Sequence, residues 1–149
     1  MKVIISPDSF KGTMSSVEAA ATIEKAIKQI SETIETVCLP VADGGEGTLD
    51  ALVAATNGRF VETTVSNPIG REIRARYGVL GDEKTCVIEM AEASGITLLS
   101  KEERNPLKAT TFGTGQLIDH ALREGYRHFI IGIGGSATND AGLGMLHAL

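Results

Sequence analysis

Val3 to Ser6 is a short apolar run stopped at once by Pro7, the pattern of a buried strand that ends in a loop. Ser15-Ser16-Val17-Glu18 has capping-box spacing, and Ala19, Ile23, Ala26, Ile27 and Ile30 then recur at helical intervals. This predicts a helix of about four turns ending near Ile30. From Thr36 to Val41 the period changes to two, with Val37, Leu39 and Val41 on one face of a second strand. A further helix is predicted over Thr48 to Thr56, closed by Asn57-Gly58. A β-α-β-α opening implies parallel strands with helices packed on the sheet.

Beyond Gly58 the alternation dominates. Val61, Thr63 and Val65 form one extended run and Ile73, Ala75, Tyr77 and Val79 another, separated by the turn Asn67-Pro68-Ile69-Gly70. Gly81-Asp82 turns again into a third run, Thr85 to Met90. These predict an antiparallel insert at about residues 59–90. One helical turn is expected within Ala91 to Leu99, followed by a polar connector holding Pro106. Thr114 is expected to cap a helix over Gln116 to Glu124 with Gly125 as its stop, Phe129-Ile130-Ile131 to form a strand, and a last helix to begin near Ala141.

The expected class is α/β: a Rossmann- or flavodoxin-like parallel sheet with helices on both faces, interrupted by a small antiparallel β-rich insert. The expected organisation is residues 1–58 as the first part of a discontinuous α/β domain, 59–100 as the insert within a second domain, and 101–149 as a further α/β segment. The sequence stops amid Leu143, Met145, Leu146 and Leu149 without a polar last turn, so it is expected to be the N-terminal part of a larger enzyme. Such an apolar end also invites association, a homodimer being the simplest form.

Composition sharpens this. At 149 residues, with 42% hydrophobic positions, the chain can bury roughly 70% of its unfolded surface without staples. Its net charge of −5 argues against nucleic acid or an anionic membrane as the main partner. Two cysteines, Cys38 and Cys86, stand without a CxxC or clustered histidines, which disfavours zinc and disulfides and fits a reducing cytoplasm. The N-terminal apolar run is too short for a signal peptide, and no stretch approaches a membrane span.

Glycine is the unusual residue, 17 of 149, and it concentrates in two loops that each follow a predicted strand and carry an acid. Asp43-Gly44-Gly45-Glu46-Gly47-Thr48 leads into a helix, where bare main-chain amides approach anions and the acids suit Mg²⁺ or a sugar-like hydroxyl; Asp and Glu also favour helix starts as plain caps. Gly132-Ile133-Gly134-Gly135-Ser136-Ala137-Thr138-Asn139-Asp140 satisfies G-x-G-x-x-A, a minimal dinucleotide fingerprint, yet its polar run reads better as a phosphate cradle with Asp140 as an ionised partner. A third loop, Ser6 to Thr13, reads from spacing alone as a Pro-Asp-Ser turn with a solvated Lys11. As a ligand loop it would offer Lys11 as a point charge and Asp8 and Ser9 to a polyol or phosphate. Arg71 is either a turn-flanking surface residue or a holder of a substrate carboxylate. Glu89 and Glu92 are either a solvated pair or contributors from a strand end. The fingerprint leaves an NAD-dependent oxidoreductase open, and the loops equally allow a non-catalytic module that binds a nucleotide or sugar acid.

Four blocks together carry a resemblance: Val3-Ile4-Ile5-Ser6-Pro7-Asp8-Ser9-Phe10-Lys11-Gly12, Pro40 to Thr48, Ala109-Thr110-Thr111-Phe112-Gly113-Thr114-Gly115, and Gly132 to Gly142. In this order they resemble the signature blocks of bacterial glycerate kinases of the glycerate 2-kinase type, a family unrelated to P-loop kinases. Met14 and Ser16 stand where leucine and alanine are more usual, and Asn67-Pro68-Ile69-Gly70 where Asp-Pro-Leu-Gly is common. The resemblance implies ATP-dependent, Mg²⁺-assisted phosphorylation of D-glycerate, giving 2-phosphoglycerate rather than 3-phosphoglycerate, in a cleft between two α/β domains. It implies that Gly134, Gly135, Ser136, Thr138 and Asn139 cradle the ATP phosphates and that Asp43 and Asp140 serve as Mg²⁺ ligands or general base. Lys11 would neutralise phosphate or carboxylate charge, and Asp8, Ser9, Gly44, Gly45 and Glu46 would bind and orient the substrate. The 149 residues alone are expected to lack part of that cleft.

Overall fold

The computed structural model describes residues 1–10 and 13–149. Strand β1 (Lys2–Ile5) runs through helix α1 (Ser16–Ile30) to β2 (Glu35–Cys38), which pairs with it in parallel from Lys2 opposite Glu35 to Ile5 opposite Cys38. The predicted capping box is present: the Ser15 hydroxyl accepts the Glu18 amide at 3.1 Å, and the Glu18 carboxylate accepts the Ser15 amide at 2.9 Å. β2 is shorter than its alternation suggests. Pro40 has no amide to extend a ladder, and only isolated bonds continue beyond it, from Leu39 to Ile5 and from Val41 to Pro7.

Helix α2 (Thr48–Thr56) ends at Asn57, which takes the left-handed conformation at φ 53°. β3 (Arg59–Ser66) and β4 (Glu72–Val79) form the expected hairpin, and the Asn67 side chain closes its turn by accepting the Ile69 and Arg71 amides. β5 (Thr85–Glu89) lies antiparallel to β4. The chain then passes through the short helix α3 (Ala91–Ser94), two 3₁₀ turns and helix α4 (Phe112–Arg123) to β6 (His128–Gly132), and ends in α5 (Leu143–Ala148).

β6 pairs in parallel with β5, from Thr85 opposite His128 to Glu89 opposite Gly132. The described residues therefore hold two sheets, β1–β2 and the mixed sheet β3–β4–β5–β6, with parallel pairing in β1–β2 and β5–β6. The α/β class stands. The mixed sheet joins the extended runs after Gly58 to the strand after α4, a non-local pairing that periodicity does not encode.

Strand parity divides the core in two. Ala75, Tyr77 and Val79 of β4 and Cys86 and Ile88 of β5 face Leu117, Ile118 and Ala121 of α4. Val87 and Leu80 pack with Leu49 and Val53 of α2 on the other face. Each such fully buried aliphatic side chain contributes roughly 1.5–3 kcal/mol. Helix α4 begins earlier than predicted. Thr111 occupies its N-cap position, and Thr114 is buried inside the helix, 2.7 Å from the Ser94 hydroxyl.

Candidate active site

The two glycine-rich loops meet directly. The Gly134 amide donates to the Gly44 carbonyl at 2.8 Å. A methyl group on Gly134 would lie 2.5 Å from the Gly45 Cα, and one on Gly132 would lie 2.7 Å from the Gly44 carbonyl oxygen. Only glycine permits this approach of backbone to backbone. Gly44 and Gly47 take positive φ, 90° and 93°. The first loop is further fixed by Thr48, whose hydroxyl accepts the Gly44 amide at 3.1 Å, and by Asp43, whose carboxylate accepts the Gly45 amide at 3.2 Å.

A cleft of about 610 Å³ opens beside this contact. Of the residues expected at the site, Ser9, Asp43, Gly45, Glu46, Gly134 and Gly135 line it. Gly44 lies behind them as acceptor to Gly134. Asp8, whose carboxylate accepts the Ser9 amide at 2.6 Å, is not among the lining residues. Lys11 lies outside the described residues. Ser136, Thr138, Asn139 and Asp140 follow the lining glycines without lining the cleft themselves. Ser136 and Thr138 bond one another, hydroxyl to hydroxyl at 2.8 Å. Arg71 is mostly exposed and ion-paired with Glu103 on the surface.

Asp140 is heavily engaged. Its carboxylate accepts the Thr111 amide at 2.8 Å, the Thr111 hydroxyl at 2.9 Å, and the Gly142 and Gly144 amides at 3.1 Å each. Thr111 in turn accepts the Met145 amide at 2.9 Å. Burial pushes the Asp140 carboxyl up, but the bonds from Thr111, Gly144 and Gly142 outweigh it and hold the group below its usual 3.8. This carboxylate pins the start of α5 to the start of α4.

Of the rest of the cleft wall, the sequence pattern left Glu89 and Glu92 open as contributors from a strand end, and both line the cleft, whereas it did not single out Arg76. Arg76 lies between Asp50 and Glu92, 2.9 Å from each, with its guanidinium 4.6 Å above the Phe60 ring. Glu89 is 3% exposed, and its carboxyl accepts the Leu49 amide in the first turn of α2 at 3.0 Å. Burial is the main cause that pushes its pKa from 4.5 to about 7; the Leu49 amide works against the shift, and Glu92 and Asp50 add to it. The signal was parity. Ala75, Tyr77 and Val79 face α4, so Arg76 faces α2; Cys86 and Ile88 face α4, so Glu89 faces α2.

Among the described residues the lining carries Glu18, Asp43, Glu46, Asp50, Glu89 and Glu92 against Arg76, which is already paired. From this described lining, main-chain amides, together with a bound cation, are what would engage a phosphate-bearing ligand here. Among the described residues no three His, Cys, Asp or Glu side chains converge as a metal cage. Mg²⁺ does not need one, because it keeps waters and typically takes one or two carboxylates plus substrate phosphates. Asp43, a hard oxygen donor on the cleft wall, fits that requirement. The dinucleotide fingerprint fits poorly. Its helix should open within the glycine loop, whereas α5 begins only at Leu143 and Gly134 is committed to Gly44. No described helix is long and apolar enough to cross a membrane.

Comparison with protein families matches residues 3–149 to the glycerate kinase family. The chain is 55% identical to the glycerate kinase of Bacillus subtilis (strain 168) and 50% identical to the glycerate 2-kinase of Escherichia coli (strain K12), each over 149 residues. Both alignments cover 100% of this chain and 39% of the relative. The fold is similar to a provisionally assigned glycerate kinase 2 from Salmonella typhimurium LT2 in its crystal structure, with a TM-score of 0.89 at 50% identity, covering 100% of this chain and 40% of that one. The chain thus spans about two-fifths of the length of the relatives it matches.

Proposed function

The chain belongs to the glycerate kinase family, and from that premise we propose that the protein carrying it transfers the terminal phosphoryl group of ATP to a hydroxyl of D-glycerate. We assign 2-phosphoglycerate as the product. The observation that carries this reading is the seating of the Gly134 amide on the Gly44 carbonyl, because it brings two anion-loving loops to one cleft. Phosphoryl transfer is largely a matter of positioning and charge neutralisation, and main-chain amides supply both without side-chain entropy.

In this mechanism Gly135, at the head of a loop continued by Ser136, Thr138 and Asn139, contributes to holding the nucleotide phosphates, and Gly134, its amide taken by Gly44, fixes that loop against the first. Asp43 either takes Mg²⁺ or receives the acceptor hydroxyl proton; the metal, when bound, would neutralise phosphate charge. Ser9 and Glu46 orient the acceptor, with Asp8 shaping their loop and Lys11 supplying positive charge. For Asp140, the convergence of Thr111, Gly142 and Gly144 supports an anchoring role ahead of a metal-binding one. Two α/β domains meeting at the cleft, a homodimer and a cytoplasmic location complete the proposal.

The test is an assay of the intact protein with D-glycerate, ATP and Mg²⁺, its product identified by phosphorus NMR. Formation of 2-phosphoglycerate is expected. Formation of 3-phosphoglycerate would correct the position, and ligand binding without turnover would replace the reading with a binding module.

A further inference from the structure

Glu89 is the last residue of β5, and its backbone sits opposite Gly132, the last residue of β6. The next amide, that of Met90, donates to the Gly132 carbonyl at 2.9 Å. Glu89 therefore stands at the seam from which the second glycine loop departs. Its side chain leaves on the α2 face, is 3% exposed, and accepts the Leu49 amide at 3.0 Å, immediately after the first glycine loop. Glu89 thus sits between the bases of the two loops, its backbone in register with Gly132 and its side chain on the Leu49 amide.

Leu49 lies in the first turn of α2, where amides have no partner within the helix. Leu49 is itself 0% exposed, and Glu89 lines the cleft, so removing the Glu89 side chain leaves that amide without its partner on the cleft side. Asp50 of α2 and Glu92 of α3 act on the carboxyl, and Arg76 of β4 and Asp43 and Glu46 of the first loop line the same cleft. Arg76 is taken up by Asp50 and Glu92, leaving hydrogen-bond acceptance as the contribution that Glu89 makes.

We propose that Glu89 is a positioning residue for the reaction, holding the start of α2, and with it the Asp43–Gly47 loop, in register with the Gly132–Gly135 loop by accepting the Leu49 amide. The inference rests on the phosphoryl-transfer reading for its effect on turnover, but not for its effect on the loop. What the loop requires is an acceptor oxygen, so a neutral amide serves where a methyl does not.

The experiment compares Glu89→Ala, Glu89→Asp and Glu89→Gln in the intact protein, by amide hydrogen exchange and by kinetics with D-glycerate and ATP. The Leu49 amide should lose at least about tenfold in protection in E89A and stay within about threefold of wild type in E89Q. In parallel, kcat should fall at least about twentyfold in E89A, with KM changing far less, and recover to within about fivefold in E89Q. If E89A does not fold, E89D takes its place: it keeps the charge but draws the oxygens back by one methylene, and should lose protection and kcat together. Unchanged Leu49 protection in folded E89A or E89D, or an E89Q as impaired as E89A, overturns the proposal. Loss of protection in a wild-type background that never phosphorylates glycerate upholds the positioning role and refutes the kinase reading instead.

Discussion

The main-chain amide of Gly134 and the main-chain carbonyl of Gly44 are joined at 2.8 Å, so the two loops of the candidate site are held together by peptide groups. The contact depends on the absence of a side chain at Gly134, where a Cβ would fall 2.5 Å from the Gly45 Cα. Gly134→Ala is expected to push the loops apart, costing about 1–3 kcal/mol of stability through overpacking and up to about 100-fold in kcat through misplacement. Urea denaturation and steady-state kinetics of the intact variant would measure both. An alanine variant of unaltered stability and turnover would show that the loops tolerate separation.

Asp43 is the lining carboxylate on which the proposed mechanism places its chemistry. Asp43→Asn keeps its size and an oxygen for the Gly45 amide. It is expected to leave the melting temperature within a few degrees and to reduce kcat by about 10²–10⁴-fold, the range for losing a general base. A kcat near wild type would remove Asp43 from the mechanism.

Asp140 should behave differently. Asparagine offers one oxygen and an NH₂ group to a site where the donors of Thr111, Gly142 and Gly144 converge. Asp140→Asn is therefore expected to destabilise by about 1–3 kcal/mol. Because the folded state holds this carboxyl below 3.8, its stabilisation is present above that pH and is lost as the pH falls through the folded value. Denaturation midpoints should thus drop on acidification in the wild type and less so in the variant.

Glu89 has the opposite sign. With its folded pKa raised to about 7 from 4.5, the native state binds more protons than the unfolded state between those values. Stability from this group is full below pH 4.5 and declines as the pH rises to about 7, by on the order of 1–3 kcal/mol. The slope should vanish in Glu89→Gln, and equilibrium denaturation at half-unit pH steps would reveal it. A slope retained in the glutamine variant would assign the titration to another group.

Much of this architecture was legible in the chain. The Ser15–Glu18 capping box, the helical recurrence to Ile30 and the Asn67–Gly70 turn are local signals, and local hydrogen bonds realise them. The glycine loops were legible as candidates because their composition is unusual. Their mutual contact was not, since it joins residues 44 and 134 through backbone atoms that every residue possesses. Thr114 was misread as a helix cap because a threonine before an amphipathic stretch looks the same whether it faces solvent or, as here, the Ser94 hydroxyl inside the core. Arg76 escaped, and Glu89 was left open between a solvated and a site position, because a charge in an alternating strand reads as solvent-facing, and α2 packed on that side of the sheet turns the position inward.

The distance along the chain between Gly44 and Gly134 also orders assembly. The β3–β4 ladder closes across one short turn, from Ser66 opposite Glu72 outward, and its entropic cost is small. The loop junction must wait for a far larger ring to close, and for the ribosome to reach residue 134. The hairpin is therefore expected to mature first and the cleft last. Pulse-labelled refolding should record protection of β3–β4 amides before that of Gly134, and the reverse order would contradict this sequence of events.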